Sequence, residues 1–447
     1  MKAIAIAHVT VIDMTGAPPK ADMTAVLVGD QISELGPAVK VKVPSGAGEI
    51  DGHGKFLIPG LWDMHVHTIG PYYLGLYVAN GVVGVRDMGN YAAQIKPLRQ
   101  ATAEGKMLGP EIVCAGPIVD GPKPIWPFSI PVANAEQGRQ AVKTIKDQGL
   151  DFVKVYSLLP RDGYFAIADE AKKEGIPFAG HTPMLVSAAE VSNAGQKSIE
   201  HLTGVLVACS SKEAEFRKRF VDAGENGAMS PSELSRRVTV EALDSYDSKK
   251  ADALFKLFAR NHTWQCPTLT VLRSFAYLDQ PEFRDDSRVK YMPAFFKQFW
   301  DPKYAPSLKN MTREDFNNQR LVYAKQLQIV GAMHRDGVKI IAGTDTTNSF
   351  VFPGFSLHDE LALLVKAGLT PMEALQSATR DAAEYLDRLD QEGTVEKGKK
   401  ANLLLLDANP LDDINNTKTI DAVILRGHLH PKVELDEILA KQAAAQK

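Results

Sequence analysis

Leu57-Ile58-Pro59-Gly60-Leu61-Trp62-Asp63-Met64-His65-Val66-His67-Thr68 reads as a buried strand that ends in two histidines one residue apart. In a strand, residues i and i+2 point to the same face. His65 and His67 therefore aim both imidazoles at one point, as two ligands of one metal must. Such a pair is weak evidence by itself. It becomes strong only if the rest of the chain brings further ligands to the ends of neighbouring strands.

The chain downstream is organised to do that. From about residue 58 to 392, short apolar runs alternate with helical patterns. Strands are expected at 58–67, 81–88, 111–115, 151–157, 177–181, 198–201, 263–271 and 338–345. Helices are expected at 92–104, 135–148, 161–174, 187–194, 232–259 and 314–335, and another begins at the capping box Thr370-Pro371-Met372-Glu373. Eight strand–helix units predict an α/β fold of the (β/α)8 TIM-barrel type. A doubly wound open sheet is the rival, and no Gly-x-Gly-x-x-Gly follows an early strand to support it. Residues 1–58 and 393–432 hold short strands that lack a core of their own. They are expected to pack together as one small β-sandwich built from both termini, beside a barrel domain over 59–392. Residues 433–447 read as a helical tail.

Composition narrows the function classes. The 447 residues carry a net charge of −3 with both signs interspersed, which leaves no basic footprint for nucleic acid or a membrane surface. No apolar run of about 18 residues is present to span a bilayer. Cys114, Cys209 and Cys266 are scattered and odd in number, as reduced buried thiols would be. Residues 1–12 suit a strand better than a signal peptide. The expected location is therefore cytoplasmic, or exported where a leader has been removed.

In a barrel the C-terminal strand ends form the active face. His65 and His67 end the first expected strand, and Lys154 lies inside the fourth. His181 ends the fifth, His201 the sixth and Asp345 the eighth. Each has a bland alternative: a turn histidine, a half-buried imidazole, a helix cap. Lys154 is the exception, because an ammonium inside an apolar strand is costly unless paired or chemically altered.

This pattern resembles the amidohydrolase superfamily. The phrases Pro59-Gly60-Leu61-Trp62-Asp63-Met64-His65-Val66-His67, Ile199-Glu200-His201 and Gly343-Thr344-Asp345 are similar to the branch of Xaa-Pro dipeptidases and imidazolonepropionase-like proteins. The resemblance covers almost the whole chain. It implies a binuclear centre of two divalent metal ions, with zinc the best match to imidazole and carboxylate ligands. His65, His67 and Asp345 would hold one ion, and His181 and His201 the other. Lys154, converted by CO2 to a carbamate, would bridge them. The implied chemistry is attack on an amide by a metal-bridging hydroxide, with Asp345 shuttling the proton and Lys154 and Asp345 as the catalytic pair. The expected substrate is a small N-acyl amino acid or dipeptide with an apolar or aromatic part. A mononuclear deaminase, a cyclic-amide hydrolase or a lactone or ester hydrolase would use the same fold. A non-catalytic relative would be expected to have lost ligands.

Substrate contacts are expected from Tyr156, Trp126, Arg86 and His358. Tyr156 lies two residues beyond Lys154, and Trp126 is in the Pro-rich loop 116–132. Arg86 either meets a substrate carboxylate or pairs with Asp87. His358 follows the eighth strand. The insertion 273–309 carries Phe275, Tyr277, Phe283, Tyr291, Phe295, Phe296, Phe299, Trp300 and Tyr304. These rings either overhang the pocket or pack the insertion or an interface of an expected homo-oligomer.

Overall fold

The strand that leads to His65 breaks in two at Gly60. Phe56–Pro59 pairs antiparallel with Leu403–Leu406, while Leu61–Val66 pairs parallel with Val82–Asp87. A side chain at Gly60 would drive its Cβ to 2.4 Å from Val83, so the crossing requires glycine. The computed structural model describes residues 3–226, 230–300 and 311–446.

Both ends of the chain share one eight-stranded sheet. Its order is His428–Pro431, Ile420–Leu425, Leu403–Leu406, Phe56–Pro59, Ile4–Val11, Lys20–Val28 and Gln31–Pro37, with Gly48–Asp51 beside Ile4–Val11. The four leucines 403–406 show how it is held. Leu403 and Leu405 pack with Ile6, Val9, Leu27 and Leu57, whereas Leu404 and Leu406 join the large central core. A period of two with both faces covered is why that strand is apolar throughout.

The remaining strands run parallel in two sheets. One is Leu61–Val66, Val82–Asp87 and Glu111–Cys114. The other is Ile130–Pro131, Ile118–Asp120, Val153–Val155, Phe178–Gly180, Ser198–Glu200 and Trp264–Cys266. Residues 338–345 appear as isolated bridges and not as a regular strand. They lie between the two sheets, bridging Gln265 to Ile340 and Val66 to Thr346 in parallel sense. On the opposite side Asp151 N–H donates to the Cys114 carbonyl at 3.0 Å. The fold is thus α/β with parallel strands whose C-terminal ends face the same way. Among the described residues no helix is long and apolar enough to cross a membrane.

Helix Arg161–Glu174 lies where the spacing places it. The expected helix 232–259 is instead two, Pro231–Asp244 and Ser248–Arg260, because the Asp247 side chain accepts from Lys249 and Lys250 N–H and starts a new helix. The expected strand 263–271 stops at Cys266, and Leu269–Tyr277 is helical. The helix begun by the Thr370–Glu373 capping box ends at Ser377, and Arg380–Tyr385 is a separate one. The tail helix Lys432–Ala445 is docked: Leu435 is buried and Gln442 donates to the Tyr291 carbonyl at 2.9 Å.

Candidate metal centre

The six residues singled out at strand ends converge. Asp345 Oδ1 lies 3.1 Å from His67 Nε2 and 3.5 Å from His65 Nε2, and Asp345 Oδ2 lies 3.8 Å from His201 Nε2. The His201 ring is 4.5 Å from that of His65 and 5.0 Å from that of His181. Lys154 is buried in Val153–Val155, beside Phe178–Gly180, which runs directly into His181. His201 and Asp345 adopt left-handed backbone with φ of 57° and 64°. That conformation is uncommon for residues with a side chain, and it collects at functional sites.

Every histidine is gripped at Nδ1. His65 Nδ1 meets Glu200 Oε2 at 2.7 Å and His67 Nδ1 meets the Gly89 carbonyl at 3.1 Å. His181 Nδ1 meets Ser157 Oγ at 2.8 Å, and His201 Nδ1 meets Thr268 Oγ1 at 2.6 Å. A carboxylate and a carbonyl only accept, so His65 and His67 must carry their protons on Nδ1. Thr268 Oγ1 donates its own proton to the Pro267 carbonyl, which makes His201 a donor too. The Nε2 lone pairs then point inward at one another and at Asp345, acceptor against acceptor. Consistently, His65 Nε2, His181 Nε2, Lys154 Nζ and Asp345 Oδ1 are buried with no hydrogen-bond partner. Four orphaned polar atoms in one pocket are costly. A divalent cation would satisfy the two imidazole nitrogens and the carboxylate oxygen together, and such donors suit one; the Lys154 ammonium is satisfied only if its charge is removed. His65, His201 and Asp345 alone already lie close enough to share an ion.

For three of the four rings the electrostatics agree. Burial, then the Lys154 charge, pushes His65 and His181 well below their ordinary values, and burial brings His201 down to about 4. Burial also lowers His67, but Asp345 outweighs it and leaves that ring raised. Burial would raise the Asp345 carboxyl, yet His201, His65 and His67 around it hold it well below the usual range. Desolvation brings the Lys154 amine down to about 8.

An aromatic wall adjoins the histidines. The Tyr156 ring stacks on His181 at 4.0 Å, and Trp126 Nε1 donates to the Tyr156 oxygen at 3.1 Å. Trp126 stacks on Phe128 at 6.1 Å, and Tyr91 meets Phe128 edge-on at 5.5 Å. Trp126 is 38% exposed and Tyr91 45%, so the wall opens to solvent. The insertion behaves differently. Trp300 and Phe296 are buried, and Trp300 donates to the Thr347 carbonyl and packs on Phe350 and Phe352. Tyr304 lies outside the described residues.

Two expected substrate contacts are not brought to the pocket. Arg86 is fully buried, and its carboxylate partner is Glu200, at 3.0 Å, not Asp87. His358 spends both nitrogens elsewhere, Nδ1 at 2.9 Å from Thr417 Oγ1 and Nε2 at 3.0 Å from the Asn80 carbonyl. Replacing His358 with alanine should therefore cost stability, about 1–3 kcal/mol for the two stranded partners. Thermal unfolding checks the loss, and kcat and KM should stay within about twofold of wild type.

Supporting residues that sequence reasoning passed over include Glu200, Thr268 and Asp63. Asp63 Oδ1 accepts from Thr344 N at 3.0 Å and Oδ2 from Thr344 Oγ1 at 2.7 Å, tying the His65 strand to the Asp345 segment. Its carboxyl is raised by burial to about 7. The available signal was an acid inside an apolar strand, as in Trp62-Asp63-Met64 and Ile199-Glu200-His201.

Comparison with known proteins gives the following. Residues 300–429 match the profile of the Amidohydrolase family. Imidazolonepropionase from Thermoanaerobacter pseudethanolicus is 35% identical over 95 residues, 19% of this chain and only 22% of that protein. Ochratoxinase from Aspergillus niger is 23% identical over 392 residues, 80% of this chain and 71% of that one. Among solved structures, bottromycin amidohydrolase superposes with a TM-score of 0.78 at 20% identity, covering 99% of this chain and 90% of its own. A Xaa-Pro dipeptidase with bound methionine in the active site gives 0.69 at 20% identity, over 96% of this chain and all of its own.

Proposed function

We propose that this chain belongs to the amidohydrolase family, whose profile its residues 300–429 match, and is a metal-dependent hydrolase of an amide bond in a small molecule. The observation that carries the reading is the acceptor-against-acceptor pocket, with its orphaned Nε2 and Oδ1 atoms. In this reading the two parallel sheets form one (β/α)8 barrel over 59–392. The terminal strands of 1–58 and 393–432 form a composite sandwich beside it, and 433–447 is the tail. His65, His67 and Asp345 would hold one metal ion and His181 and His201 a second. Two divalent ions there, zinc by donor type, would polarise the scissile carbonyl and make water more acidic.

The protein's own groups do the rest. Lys154, its amine lowered to about 8, keeps a neutral fraction near pH 7 that can attack CO2. The ammonium first gives one proton to solvent, and the new N–C bond then gives a carbamate and releases a second. That exchange turns a stranded buried cation into an anion with two acceptor oxygens between the two sites. Asp345, held ionised by its neighbours, takes a proton from the attacking water and returns it to the leaving amine. Tyr156 accepts from Trp126, so its own O–H is free to donate to the substrate carbonyl, and burial keeps the phenol protonated.

The aromatic wall supports an N-acyl amino acid or dipeptide carrying an aromatic group. Trp126→Ala should raise KM for such a substrate about tenfold, the worth of one lost aromatic contact, and change kcat less. Steady-state kinetics with matched aromatic and aliphatic acyl groups checks this. The test of the whole reading is metal analysis joined to a screen of N-acyl amino acids, dipeptides and lactones on zinc-loaded protein. Two ions per chain and amide turnover are expected. One ion per active chain would overturn the binuclear assignment, and turnover of lactones alone would overturn the amide.

A further inference from the structure

Arg86 is the largest buried cation near the candidate site, and none of its donors is left for a substrate. Nε donates to the Met64 carbonyl at 2.6 Å, and Nη1 to Tyr385 Oη at 2.6 Å and Ser198 Oγ at 3.1 Å. Nη2 reaches both Glu200 oxygens at 3.0 Å. The guanidinium also lies over the Tyr385 ring at 4.8 Å. One side chain thus joins the first strand, the second, the sixth and the helix Arg380–Tyr385.

Glu200 is the hub of that network. Besides Arg86 it accepts from Ser198 Oγ at 2.5 Å and from His65 Nδ1 at 2.7 Å. Its chain neighbour is His201, so one buried carboxylate touches one candidate ligand and adjoins another. Cys266 lies near both Glu200 and His65. That trio does not form a second metal site, because the Glu200 oxygens are already occupied by Arg86, Ser198 and His65.

A buried ion pair is a poor reason for stability, since apolar groups of the same size serve as well. Its geometry here points to another role. A carboxylate on Nδ1 fixes which nitrogen of His65 carries the proton, fixes the ring plane, and makes Nε2 a stronger donor. Arg86 fixes the carboxylate in turn, and offsets its charge so that it need not draw the proton off the ring.

We propose that Glu200, held in place by Arg86, is the positioning residue of the metal centre, setting His65 with its Nε2 lone pair toward Asp345. The proposal rests on the metal-dependent reading above. Two variants test it: E200Q, and R86M/E200Q, which removes both charges and leaves no stranded guanidinium if E200Q alone fails to fold. Each is compared with wild type, all metal-stripped and then titrated with Co2+ against a chromophoric chelator. The visible spectrum is recorded at saturation, and thermal unfolding of the stripped proteins confirms the fold. Binding about 10–100-fold weaker, with an altered cobalt spectrum in folded protein, is the expected result. Wild-type affinity and spectrum in the folded double variant would overturn the positioning role while leaving the metal reading intact. A wild type that takes up no metal overturns both. A purely structural role would lower the unfolding temperature and leave the saturated spectrum unchanged.

Discussion

Lys154→Ala should leave a folded protein that has lost most of its metal and at least about a thousandfold of its turnover, the scale of removing a group that positions two ions and their charge. The fold should survive because the substitution removes a buried ammonium with no hydrogen-bond partner. Stranded charges of that kind destabilise, so the unfolding temperature of the metal-free variant should match or exceed that of metal-free wild type. The reading also makes a positive claim. Bicarbonate with a short-chain carboxylic acid should restore part of the metal content and part of the rate, by placing a free carboxylate where the carbamate would lie. Full activity in the untreated variant would refute the bridging role.

Asp345→Asn should lower kcat by about 10²–10⁴, the usual worth of a positioned acid–base group. One carboxylate oxygen lies near His65 and His67 and the other near His201, so the group is placed both to hold an ion and to exchange a proton. Asparagine keeps the shape and one carbonyl oxygen but cannot carry a proton at neutral pH. The loss should therefore fall on kcat more than KM, and the limb of the rate profile that reports the base should disappear. Near-wild-type rates with full metal occupancy would remove Asp345 from proton transfer.

Much of this site was legible because its grammar is local. A period of two aims His65 and His67 to one side, and parallel strands line up their ends, so His181, His201 and Asp345 could be placed without knowing any contact. What escaped depended on partners far along the chain. Arg86 looked available to a substrate because its true partner, Glu200, lies 114 residues on. His358 looked like a rim residue because its partner Thr417 sits on the other side of two helices and a strand. The strand expected at 263–271 ended early for a related reason. Thr268 takes left-handed backbone, and its hydroxyl oxygen accepts from His201 Nδ1. The buried carboxylate of Glu360, raised by burial to about 7, accepts from Leu269 and Thr270 N–H and starts the helix in its place. Element type followed from nearby residues; the breaks within elements were set by side chains that had another task.

The division of the opening strand at Gly60 also has a consequence for how the protein matures. One edge of Phe56–Pro59 is covered by Ile4–Val11, but the other waits for Leu403–Leu406, which leaves the ribosome after nearly the whole chain has been made. At about 5–20 residues per second, that interval is on the order of tens of seconds. Throughout it, Phe56–Pro59 can pair only with Ile4–Val11, and the other edge of the segment leading directly into His65 stays unclaimed. A chain halted short of residue 403 would carry all six candidate ligands and still lack the clasp behind the first two.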